Sequence, residues 1–124
     1  MSKPRTILMN SLMMPTEGLW YYPCRLTPEQ FAERLKEEMR LGLVKSYIGY
    51  QATARIVEQL AGLPEGTIVV NRAQTSVRPM DTILVAKLKY RVRNPGDKGK
   101  LTPTLEDYEF FVVDVYGPEE IEIA

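Results

Sequence analysis

Two short polar clusters and one basic stripe are the places where this chain could do chemistry. Asn10-Ser11 closes a short apolar run and offers small hydrogen-bonding groups where α/β sheets place ligands, outside the carboxyl ends of strands, although from sequence alone a plain turn is the better reading of the pair. Ser46-Tyr47-Ile48-Gly49-Tyr50-Gln51-Ala52-Thr53 sets a glycine at the mouth of a helix, where free N–H groups and the helix dipole favour a phosphate. Lys87, Lys89, Arg91 and Arg93 alternate with Leu88, Tyr90 and Val92, so a strand through them carries all four cations on one face. Arg91 could hold a phosphate there through its bidentate fork, and an ordinary exposed strand cation is the plainer alternative. The chain has no histidine, which removes Ser/His and Cys/His nucleophile pairs and histidine-metal motifs. It carries neither a P-loop nor a dinucleotide fingerprint.

The elements that must position these groups can be read from pattern. Thr6-Ile7-Leu8-Met9 is a buried strand ending at Asn10-Ser11. After a loop with Pro15 and Gly18, Leu19-Trp20-Tyr21-Tyr22 is strand-like, and Pro23 places its end at a sheet edge. Thr27-Pro28-Glu29-Gln30 supplies an N-cap, a first-turn proline and a capping-box glutamine. The spacing of Phe31, Leu35 and Met39 carries that helix to about Leu41, with Gly42 as its stop. A second helix is expected from about Gly49 to Leu60, with Ala52, Ile56 and Leu60 as its buried stripe and Gly62 and Pro64 closing it. Thr67–Val70 and Thr82–Ala86 read as strands, the latter continuing through Arg93, with a turn at Pro79-Met80-Asp81 between them. A loop from Asn94 to Gly99, a helical turn within Thr102–Asp107 and a last strand from Tyr108 to Tyr116 complete the pattern.

A length of 124 residues suits one domain, with a core over about 6–116 and an acidic tail at 117–124. The 44% apolar and 26% charged residues are those of a globular chain, and no apolar run approaches the length of a bilayer helix. No convincing signal peptide is present, and the expected location is the cytoplasm. The lone Cys24 excludes an internal disulfide, reads as a small core or edge residue, and without histidine leaves the usual zinc sets out of reach. Sixteen basic residues balance sixteen acidic ones, but unevenly: Arg72 to Lys100 holds eight basic residues, and Leu101 to Ala124 holds seven acidic residues and no basic one. That asymmetry fits either an anion-binding patch or solvated strand faces beside a soluble tail.

Order and spacing of these blocks carry more than any one of them. Gly18-Leu-Trp-Tyr, Arg25-Leu-Thr-Pro-Glu, Ser46-x-Ile-Gly-Tyr50-x-x-Thr-Ala, Asn71-Arg72, Asp81-x-Ile-Leu-Val, Tyr90-Arg91-Val, Gly99-Lys100-Leu-Thr and Tyr108-Glu-Phe-Phe-Val-Val are colinear from about Ile7 to Val115. Together they resemble the small ring nucleases of archaeal viruses and bacteriophages, the type III anti-CRISPR proteins once classed as a domain of unknown function. The resemblance implies an α/β fold with a mixed β-sheet flanked by helices, forming a homodimer. It further implies binding of cyclic tetra-adenylate, the second messenger of type III CRISPR defence, in a pocket across the two-fold axis, in the host cytoplasm if the chain is viral.

The family reaction is metal-independent and uses no cofactor: a ribose 2′-hydroxyl attacks the adjacent phosphate, leaving linear di-adenylate with a cyclic phosphate end. A histidine after the helix-opening glycine protonates the leaving 5′-oxygen, and an arginine steadies the phosphate. Here the histidine position is Tyr50, the arginine maps onto Arg91, and the ligand loop after the first strand maps onto Asn10, Ser11, Leu12 and Met13. Gly49, Gln51 and Thr53 complete the implied ligand-binding set. A phenol near pKa ~10 is a poorer proton donor than an imidazole near ~6.5, so cleavage is expected to be weak or lost. Tyr50 can instead stack on adenine and donate to a phosphate, or simply pack at the helix start. Family members commonly carry an acidic residue and Gly-Lys soon after the arginine, whereas Arg93 to Lys100 is longer and basic here, with Asp97 a possible substitute. Alternatives are a working ring nuclease that uses Tyr50 or ligand-assisted geometry, and a non-enzymatic nucleic-acid or protein interaction module using the basic strand face.

Overall fold

A computed structural model describes residues 5–11, 19–42, 44–73, 77–89 and 103–117. Leu12, Met13, Arg91, Arg93, Asp97 and the tail beyond Gly117 lie outside these residues.

The expected capping box forms as the sequence dictates. Gln30 N–H donates to Thr27 Oγ1 at 3.1 Å and Thr27 N–H donates to Gln30 Oε1 at 2.9 Å, starting α1 at Pro28–Arg40. Its stop is Gly42, whose φ of +72° is the left-handed geometry glycine adopts freely and whose N–H donates to Met39 O at 3.0 Å. Phe31 and Leu35 are fully buried, and Met39 packs against the same cluster.

Five strands make one mixed sheet in the order β2-β5-β4-β1-β3, namely β1 Thr6–Met9, β2 Trp20–Leu26, β3 Val44–Tyr47, β4 Thr82–Leu88 and β5 Tyr108–Tyr116. β1 runs parallel to both β3 and β4, while β5 is antiparallel to β4 and β2. A strand flanked on both sides and covered on both faces needs consecutive apolar residues, and Ile7 and Leu8 are both fully buried. Leu8, Leu84, Ala86 and Phe110 meet the helices on one face. Ile7, Ile83, Val85, Val113 and Val115 form a second layer on the other, against which Leu19, Tyr21 and Val77 pack. Pro23 sits within β2, an edge strand where a missing N–H is tolerated.

Several expectations are corrected. The second helix, α2, spans Gln51–Ala61 as anticipated, but it buries Thr53, Ala54, Val57, Glu58 and Ala61, while Ile56 and Leu60 are only half-buried and Ala52 is exposed. The stripe is therefore turned by one position, because a carboxylate, Glu58, belongs to the inward face. Thr67–Val70 is not a strand: Thr67 N–H bonds Pro64 O at 3.2 Å and Ile68 N–H bonds the Glu58 carboxylate at 2.7 Å, so this β-prone run follows local and side-chain acceptors in place of a ladder. β3, with its polar Lys45-Ser46 centre, was not anticipated and pairs residue for residue with β1 from Thr6↔Val44 to Met9↔Tyr47. Among the described residues β4 ends at Leu88, with the Lys89 N–H still donating to Asp107 O across from β5 at 2.8 Å, and the expected continuation through Arg93 lies outside them. Lys87 is half-buried and Lys89 exposed.

The turn at Pro79-Met80-Asp81 is present, with Met80 at φ +74°. Buried Asp81 secures it by accepting from Arg78 N–H at 2.8 Å and from Arg5 Nε at 3.0 and 3.1 Å. The helical turn before β5 is a single one at Leu105–Asp107. No helix among the described residues is long and apolar enough to cross a membrane.

Candidate functional site

Because β1 and β3 are parallel and in register, their carboxyl ends arrive together at Met9 and Tyr47. Asn10 follows one and Ile48-Gly49-Tyr50 the other. Gly49 N–H donates to Asn10 Oδ1 at 3.0 Å, so the predicted loop residue and the predicted helix-mouth glycine are joined directly. Ser46 Oγ accepts weakly from Ile48 N–H at 3.4 Å. Tyr50 is the N-cap of α2 in extended conformation and caps nothing with its side chain. The first turn of α2 carries no acidic residue of its own to offset the partial positive charge of the leading N–H groups.

A third segment completes the site, arriving from beyond α2. Asn71 N–H donates to Ile48 O at 2.9 Å, and Asn71 Nδ2 donates to Ser46 O at 3.2 Å. Arg72 Nε donates to Gly49 O at 2.9 Å, and its guanidinium carbon stands 5.9 Å from the centre of the Tyr50 ring. These groups, with Tyr47 and Ala73, line an open cavity of about 310 Å³. A larger cavity of about 810 Å³ lies between the end of β2 and the start of β5, but Glu106 and Glu109 stand in it beside Arg25 and Lys89, which disfavours an anion. The smaller cavity combines a helix N-terminus, a guanidinium and an exposed aromatic ring at strand carboxyl ends, the combination suited to a nucleotide phosphate and base.

Of the residues predicted from sequence, Asn10, Gly49 and Tyr50 come together here. Ser11 follows Asn10 and is half-buried, and Gln51 opens α2 exposed to solvent. Thr53 is buried with its hydroxyl 3.1 Å from the Tyr108 hydroxyl, so its side chain serves the core beneath the helix mouth. Arg91, Leu12 and Met13 fall outside the described residues. Arg72 and Asn71 were missed as site residues, although the Asn71-Arg72 block was itself a signal. Cys24 is exposed on β2, and among the described residues no acidic, cysteine or histidine cluster could hold a metal ion.

Curated protein sequences contain no match to this chain. Among solved structures, B116 of Sulfolobus turreted icosahedral virus is similar over 89% of this chain and 98% of its own, with a TM-score of 0.68 and 16% identity, a likeness of fold. The family model described as STIV B116-like matches residues 6–110, a span that includes both helices, four strands and the start of the fifth. The chain thus belongs to the STIV B116-like family, the family of the anti-CRISPR ring nuclease fold that its colinear sequence blocks resemble.

Proposed function

We propose that this protein binds cyclic tetra-adenylate at the carboxyl ends of β1 and β3, and that its power to cleave the ring is weak because Tyr50 stands where the family has histidine. The observation that carries this reading is the convergence of Asn10, Gly49, Tyr50 and Arg72 at the N-terminus of α2. Asn10 holds the Gly49 N–H in place, while the N–H groups at the start of α2 and the Arg72 guanidinium suit a phosphate and the exposed Tyr50 ring suits adenine. Gly49 has neither a positive φ nor crowded neighbours, since an added Cβ would meet Arg72 Cγ at 3.5 Å and Asn10 Oδ1 at 3.9 Å. Close approach of a ligand backbone is then the reason for glycine at this point.

A cavity of about 310 Å³ fits one nucleotide unit and not a ring of four. In this reading two copies related by a two-fold axis face each other across a symmetric ring, each cavity taking one nucleotide and the other two lying between them, so the binding form is a homodimer. Arg91, on the segment after β4, is the second phosphate contact in this reading.

Incubation with labelled cyclic tri-, tetra- and hexa-adenylate, scoring retention and cleavage together, tests it. Retention of the tetra-adenylate with little product is expected. Failure to retain any of the three rings overturns the proposal, and rapid turnover by the unmodified protein replaces it with that of an efficient nuclease.

A further inference from the structure

Arg72 lies in a segment without regular secondary structure, yet its guanidinium is placed within hydrogen-bonding distance of a helix mouth formed by another part of the chain. Ile68 N–H anchors the start of that segment on Glu58, and next to Arg72 the fixing hydrogen bonds among the described residues are those of its neighbour Asn71. Asn71 uses three groups at once. Its N–H donates to Ile48 O at 2.9 Å, its Nδ2 donates to Ser46 O at 3.2 Å, and its Oδ1 accepts from Ala73 N–H at 3.0 Å. The first two tie it to the end of β3. The third closes an Asx turn around Arg72 itself, which sets the direction in which the Arg72 side chain leaves the backbone.

We infer that Asn71 is the positioning residue of this site, its side-chain amide holding the turn from which Arg72 reaches Gly49 and Tyr50. Only a primary amide of this length supplies both the donor to Ser46 O and the acceptor for Ala73 N–H. Aspartate keeps the acceptor and sets a carboxylate oxygen against the Ser46 carbonyl. Alanine removes both. The consequence for ligand affinity rests on the function proposed above; the placement of Arg72 does not.

NMR exchange of the Arg72 Nε–H proton reads that placement without any ligand. In the unmodified protein its bond to Gly49 O slows exchange with water. In Asn71→Ala and Asn71→Asp the exchange should quicken by roughly tenfold, while the amides of β1 and β4 keep their protection. Thr6→Val serves as control: it removes a hydrogen bond from Thr6 Oγ1 to Glu38 at 2.8 Å, away from this turn, and should leave the Arg72 proton protected.

Unchanged protection in both Asn71 variants overturns the inference, as does loss of protection in Thr6→Val. Unfolding of both Asn71 variants overturns it too, because Asn71 would then hold the whole fold. Affinity for cyclic tetra-adenylate supplies the second arm. Asn71→Ala with Arg72→Ala should bind no more weakly than Arg72→Ala alone, and additive losses count against a positioning role. Absence of binding by the unmodified protein would remove the proposed function and leave the exchange arm to decide the role of Asn71.

Discussion

The guanidinium carbon of Arg72 stands 5.9 Å from the centre of the Tyr50 ring, while the Arg72 Nε donates to the carbonyl of Gly49 at 2.9 Å. One cation is thereby held against both the aromatic ring and the backbone at the start of α2. With Nε engaged by Gly49, the terminal nitrogens of the fork are what a phosphate would meet. Arg72→Ala should weaken cyclic tetra-adenylate binding by roughly 10- to 100-fold, the scale of a charge-assisted hydrogen bond. Arg72→Lys should recover only part of that loss, because an ammonium cannot bond Gly49 O and a phosphate in the same plane. Calorimetry at one fixed salt concentration distinguishes the three proteins, and equal affinities would remove Arg72 from the site.

In the proposed function Tyr50 stands at the position where the family's imidazole would act as general acid. Introducing Tyr50→His should raise the single-turnover rate of ring cleavage, by up to about 10²- to 10⁴-fold if the remaining geometry is productive. The gain should fall off at high pH as the imidazole loses its proton, with a midpoint near the ordinary histidine range of ~6.5. Product separation by ion-exchange chromatography across pH measures both. A substantial rate left unchanged by the substitution would show that Tyr50, or the ligand itself, already supplies the proton, and a negligible rate in both proteins would show that the remaining geometry is unproductive.

How much of this was legible in the sequence follows from how local each signal is. The capping box at Thr27 and Gln30, the apolar spacing of Phe31, Leu35 and Met39, and the last strand at Tyr108–Tyr116 are encoded within a few residues of one another, and they form as read. β3 was invisible because Val44-Lys45-Ser46-Tyr47 has no apolar run, and it becomes a strand only because β1 offers a matching edge. Thr67–Val70 failed for the opposite reason: its β-propensity is overridden by Glu58, whose carboxylate takes the Ile68 N–H. The site shows the same division. Asn10 and Gly49 were marked by strand-end and helix-start chemistry, whereas Asn71-Arg72 stood out only as a block of the family resemblance, and its place in the site rests on contacts across the fold.

Phe31 of α1 and Phe110 of β5 make an aromatic contact between the helix layer and the sheet. Phe31 and Phe110 are buried with ring centres 4.7 Å apart, tilted at 43°. Phe31→Ala leaves a cavity under α1 and should cost about 3–5 kcal/mol, read from the urea midpoint. Phe31→Leu, which keeps most of the volume, should cost well under half of that. A small effect of Phe31→Ala would mean that the helix collapses onto Leu84 and Ala86 without penalty.

Glu58 ties stability to pH and, through the same bond, to the site. Burial by itself would push its carboxyl pKa up, but the Ile68 N–H at 2.7 Å and the Arg55 guanidinium outweigh that penalty and hold it below the ordinary glutamate value. A folded-state pKa below the unfolded one means that the unfolded chain takes up a proton first as pH falls. The contribution of Glu58 is therefore complete above the ordinary glutamate range and is lost as pH falls through that range toward the lowered value. Glu58→Gln should cost about 1.5–3 kcal/mol at neutral pH, with the gap to the unmodified protein narrowing on acidification. Urea midpoints between about pH 7 and about pH 3 measure the two curves. Parallel curves would show that the carboxylate is not the titrating group. Because Ile68 begins the run that ends at Asn71 and Arg72, loosening of the Glu58 bond should release that run before the sheet unfolds. Exchange of the Asn71 N–H, which is bonded to Ile48 O at 2.9 Å, should then quicken at a higher pH than exchange of the β4 amides.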